Sequence, residues 1–147
     1  MIRISIILVG ATLLAVAPQN RPGAEIAAIK EAEPYEGFKS DQALLRKKYI
    51  LKGGNGGKDI TASSGEAIEA AQRIFSRVSF LFRSREEVLN LSGDPATLSN
   101  YGQPAGKDPS SPLVYVFDTG YGGLKFTISF MKQVPPRVEQ VHVDFLN

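Results

Sequence analysis

The chain holds one imidazole, His142, and no thiol. A serine hydrolase needs a nucleophile, a base and a group to orient the base. His142 is the base available. It stands two residues from Asp144, and an antiparallel strand could place Ser129 opposite it. No G-x-S-x-G elbow is present to hold a serine at a strand-to-helix turn. A histidine on the polar face of a strand is the ordinary reading of His142. Without cysteine there is no disulfide framework, zinc–thiolate site, thiol nucleophile or acylated cysteine. With one histidine there is no His-rich metal site.

The carboxylates do not gather either. Glu86 and Glu87 are adjacent, and neighbours on a helix point about 100° apart, so they do not share a site. Their place in a first helical turn is explained by capping and by the helix dipole. Asp94, Asp108, Asp118 and Asp144 are scattered, whereas calcium wants several oxygens together. Asp118 opens a glycine-rich turn, where Asp accepts backbone hydrogen bonds. The run Lys52-Gly53-Gly54-Asn55-Gly56-Gly57-Lys58 invites comparison with a phosphate-binding loop. That motif needs its glycines five apart, then Lys and Ser or Thr. Here Gly53 and Gly57 are four apart, and Asp59 follows Lys58. No catalytic residue, cofactor-binding residue or metal ligand is assigned, and no cofactor is expected.

The elements that would position these residues fall into two halves. Pro18–Gly23 is linker-like. Glu25–Glu33 favours a short helix that Pro34 ends. Gln42–Leu51 has an ambiguous apolar period, and the four glycines after it predict poor order over 52–62. Helix signals become firm at Ser63-Ser64-Gly65-Glu66, read as a capping box with Ser63 as the cap. Ala67, Ile68, Ala71, Ile74, Phe75 and Val78 then make one apolar stripe. A second capping box at Ser84–Glu87 opens a shorter helix, with Gly93 as its stop and Pro95 preventing resumption. Beyond a polar loop the period becomes two. Leu113–Phe117 reads as a strand and Asp118–Gly123 as a hairpin loop. In the next strand Leu124, Phe126, Ile128 and Phe130 face inward and Lys125, Thr127 and Ser129 outward. A third strand over Val138–Phe145 puts Val141, Val143 and Phe145 inward.

The fold class expected is α+β: two helices packed on a three-stranded antiparallel meander over 63–147. A poorly ordered linker with short helices (18–62) and a leader (1–17) precede it. The leader rests on Ile4–Ala17, an uncharged run after Arg3. It is shorter than the ~20 residues of a spanning helix, and Ala15-Val16-Ala17 supplies a small-x-small cleavage site. Export to the periplasm or medium is expected, with membrane contact only through this segment if it is not cleaved. Without Arg3, 16 basic residues face 15 acidic ones, a balance of +1 that offers no lever on nucleic acid.

Ser84, Val88, Leu91, Gly93 and Pro95 within SREEVLNLSGDP, followed by the hairpin Leu113–Met131, resemble the SmpA/OmlA (BamE-like) family of small bacterial envelope proteins. The resemblance covers the C-terminal ~80 residues. It implies two helices on a three-stranded meander, as in β-lactamase-inhibitor-like domains, and a protein partner in the envelope. Two departures stand out: Phe82-Arg83 replaces the family's usual glycine before the cap, and no cysteine is present for acylation. The function expected is a noncatalytic envelope domain that binds another protein, with Tyr115, Tyr121, Lys125, Thr127 and Ser129 as candidate contacts and Tyr101 as a further aromatic anchor. The alternative is a small secreted enzyme, or an accessory to one, with no recognisable catalytic motif.

Overall fold

The Ser84 hydroxyl accepts the amide of Glu87, and the Glu87 carboxylate takes the Ser84 amide in return. This reciprocal box opens a helix where the sequence predicts one. The computed structural model describes residues 33–100 and 106–147. The leader, the linker-like residues up to 32 and Tyr101 lie outside the described residues. The described chain is a mixed α+β fold. Its elements run α1 (Phe38–Leu44), β1 (Lys48–Leu51), β2 (Ile60–Ser63), α2 (Gly65–Arg77), α3 (Arg85–Ser92), the single turn α4 (Pro95–Leu98), β3 (Leu113–Asp118), β4 (Gly123–Phe130) and β5 (Val138–Leu146).

The strands form two antiparallel sheets, β1-β2 and β3-β4-β5. In the larger sheet Phe126 stands opposite Tyr115 on β3 and Val143 on β5. A register shift at Ser129/Phe130 bends the start of β5. Leu124, Phe126, Ile128 and Phe130 are buried, while Lys125, Thr127 and Ser129 are half exposed, the alternation that the period-two pattern predicts. From α2, Phe75 stacks on Phe126 with ring centroids 4.3 Å apart, and it also meets Tyr115 and Phe80. This aromatic cluster is the centre of the core.

Several expectations are corrected. From residue 33 onward the segment expected as a linker is folded. α1 packs on α2, and Phe38, Leu45 and Ala62 belong to the core. The glycines do not mark loose chain. They build the turn of the β1-β2 hairpin, where Gly53, Gly56 and Gly57 take positive φ. The cap of α2 is Ser64, which accepts the amide of Ala67. Ser63 is instead the buried end of β2. Pro95 does not merely stop α3: with Asp94 as cap it opens α4, because proline at a first helical position gives up no needed bond. On β5 the inward residues share the core face, but Val143 and Phe145 are exposed at 42% and 79%. The described helices do not cover that end of the sheet.

Candidate functional site

Asp94, Asp108, Asp118, Asp144 and Glu87 each have a local partner. Asp94 accepts the amide of Ala96 at the start of α4. Asp108 takes both the amide and the hydroxyl of Ser110, which hold its carboxyl below the usual range. Asp118 accepts the amide of Gly120 at 2.7 Å in the hairpin loop. Glu87 belongs to the capping box, whose bonds from Ser84 hold its carboxyl below the usual range, while Glu86 is exposed to solvent. Among the described residues no three His, Cys, Asp or Glu side chains come together as a metal site would need.

His142 lies opposite Thr127, not opposite Ser129, whose cross-strand neighbour is Gln140. Its Nε2 is 2.9 Å from Asp144, which also binds Lys125 at 2.9 Å. These two partners keep the Asp144 carboxyl below its ordinary range, Lys125 more than His142. The imidazole therefore has an orienting carboxylate but, among the described residues, no serine bonded to it. The sheet register decides this, and no local motif in the sequence carries it.

The five candidate contact residues divide. Lys125, Thr127 and Ser129 share one face of β4. Val114 and Val116 flank them from β3, and Gln140 and His142 from β5. Tyr121 is 83% exposed at the tip of the β3-β4 hairpin. Tyr115 is corrected: it is fully buried on the opposite, helix-covered face. Its hydroxyl lies 2.8 Å from both the Gly93 carbonyl and the Ser92 hydroxyl, which in turn lies 2.8 Å from the Val88 carbonyl. Two protons serve these three contacts. Burial, opposed by the Ser92 bond, pushes the phenol well above its usual range, so it stays protonated and ties β3 to the end of α3.

A second surface was not foreseen. α2 leads into Ser79–Arg83, where Phe82 takes φ 63 and is 67% exposed. A bulky side chain in this conformation is uncommon. It is held by a backbone pair, the Phe82 amide to Val138 oxygen at 3.0 Å and the Val138 amide to Arg83 oxygen at 2.9 Å. Beside it a shallow groove is lined by Phe75, Val78, Phe80, Leu81 and Val141. The alternation of Val141, Val143 and Phe145 marks them as core-facing. It cannot say that the covering helix stops short of them.

No protein-family model, characterised protein or solved structure matches the chain. Among the described residues no helix is long and apolar enough to cross a membrane.

Proposed function

We propose that this chain is a noncatalytic domain, exported to the periplasm or medium, that binds another envelope protein through the open face of its three-stranded sheet. The observation that carries this reading is the face itself. Val114, Lys125, Thr127, Ser129 and His142 lie side by side, all half-exposed or exposed, with no described element packed over them. Aliphatic, polar and charged groups mixed on a flat surface suit a partner surface better than a small ligand, which needs a concave pocket. The carboxylates engaged in caps and turns also favour a binding role over catalysis.

The resemblance to the SmpA/OmlA family, and with it the β-lactamase-inhibitor-like arrangement, belongs to the same proposal. It is supported where the motif residues have structural work: Ser84 caps α3, Val88 is buried, Gly93 takes φ 85 and Pro95 opens α4. A part in outer-membrane or envelope assembly is the role that the resemblance suggests. The leader composition supports export, and a reporter fused after Asn20 should be active only outside the cytoplasm.

The binding face is tested by placing a photoreactive side chain at Thr127 and, as a control, at Glu69 on the solvent side of α2. Thr127 should yield one dominant adduct with an envelope protein, and Glu69 none. Equal adducts at the two positions, or none at Thr127, would overturn the reading.

A further inference from the structure

We infer that two copies of this chain pair edge to edge through β5, with a two-fold axis at Val143, to make a continuous six-stranded antiparallel sheet. This goes beyond the open-face reading: it uses the edge of the sheet and stands whether or not the face binds another protein.

β5 runs nine residues and has β4 on one side only. Among the described residues, its outer edge is met by the Phe82–Arg83 pair at Val138. From Gln140 to Leu146 the outer peptide groups have no described partner. Such an edge is a template for another strand. Val138–Leu146 contains neither Pro nor Lys, and its register shift lies before Gln140, outside the free segment.

The pleat restricts the register. A two-fold axis perpendicular to the sheet keeps every residue on its own face, so the axis passes through a residue and like faces oppose. An axis at Val143 pairs the whole of Gln140–Leu146 with itself. It sets His142 opposite Asp144 of the second copy, Val141 opposite Phe145, and Val143 opposite its own equivalent. An axis at Asp144 would oppose two carboxylates. An axis at His142 would oppose two imidazoles and put Phe145 against Glu139. An axis at Val141 would drive the second strand into the segment already paired at Val138.

The apolar surfaces match in the same register. Phe145, 79% exposed, and the groove that includes Val141 lie on one side of one edge. With the axis at Val143 the bare ring of each copy lands over Val141 of the other, and the groove is filled twice by symmetry. On the opposite face His142 and Asp144 alternate with their equivalents, and Lys125 already holds Asp144 from β4. Charge and shape both select the one register that uses the full length of the free edge.

The chain has no cysteine, so a single introduced thiol reports the register. Residues directly opposed on antiparallel strands have Cα atoms about 4.5–5.5 Å apart, within disulfide span. In the full chain, Val143→Cys should oxidise to a covalent dimer at least about tenfold faster than Val141→Cys or Phe145→Cys alone, while a mixture of those two should cross-link. Sedimentation equilibrium of the unmodified chain at micromolar concentration should give a dimer. His142→Glu, which faces Asp144 of the second copy with a like charge, should weaken it at least about tenfold, and His142→Lys should retain it. The His142 side chain is 59% exposed, so both variants should keep the far-UV circular dichroism of the parent. A monomer under these conditions, or equal oxidation of all three single cysteines, overturns the proposal. So does a monomer whose amides over 140–146 exchange slowly, which would assign the edge to another segment of the chain.

Discussion

Asp41 is the one buried carboxylate of the described chain, 6% exposed, and it is fully engaged. Arg73 grips it through Nε and Nη2, the shortest contact being 2.7 Å, and the Tyr35 hydroxyl donates at 2.8 Å. The Arg73 bonds, opposed by burial and helped by Tyr35, hold its carboxyl below the ordinary range. A carboxyl depressed in the folded state stabilises the fold above its unfolded pKa, and that contribution is lost as pH falls through the folded value. Denaturant midpoints should therefore fall below about pH 4, and Asp41→Asn should flatten that part of the profile. At pH 7 Asp41→Asn should cost about 2 kcal/mol, less than a wholly buried pair, because Arg73 is a third exposed and water can take its guanidinium. An unchanged acid limb in the variant would show that other carboxylates control it. Asn100 has a comparable task without charge. Its side chain accepts from Ser63 Oγ and the Asp118 amide and donates to the carbonyls of Thr61 and Asp118. It clasps β2 to β3, and Asn100→Ala should cost about 2 kcal/mol in the same melts because it strands buried Ser63.

At the scale of the element, β4 gives the sharpest contrast. Phe126 is 2% exposed between Phe75 and Phe117, whereas Thr127 faces the open side. Phe126→Ala removes a stacked ring and leaves a cavity, at roughly 3–5 kcal/mol. Thr127→Ala should cost about 0.5 kcal/mol or less. Urea melts that gave equal losses would mean that the sheet is covered on both sides. This element was legible because its period is strict and one face is wet. The capping box of α3 was legible because its two bonds join residues three apart. Elsewhere the local pattern was ambiguous. Ser63 and Ser64 both suit a cap, and only the length of β2 decides between them. Tyr115 alternates with Val114 and Val116, and both phases are apolar enough to be the inner one. The choice belongs to Phe75 and Ser92, which lie elsewhere in the chain. The Gly53–Gly57 run reads as loose chain unless a strand is recognised on each side, and β1 is too short and exposed to announce itself.

At the scale of the whole molecule, the first described elements decide how much chain the fold requires. The sequence places the folded unit at 63–147, but the compact unit begins at Ala32. α1 packs on α2, and the segment brings Phe38 and Leu45, 5% and 1% exposed, into the core. Asp41 fastens the same two helices. A chain starting at Thr61 loses all of these and most of the β1-β2 sheet. Burial of Phe38 and Leu45 alone is worth about 1.5–3 kcal/mol each by transfer, before the loss of the Asp41–Arg73 pair. A small domain has about 5–15 kcal/mol in total. The chain from Thr61 should therefore be destabilised by most of its margin, with poor amide dispersion in its proton–nitrogen NMR spectrum and dye-binding apolar surface on α2. The chain from Ala32 should retain a cooperative melt. If the shorter chain unfolds with the same midpoint, α1 and the small sheet are appendages, and the larger sheet with α2 and α3 is sufficient by itself.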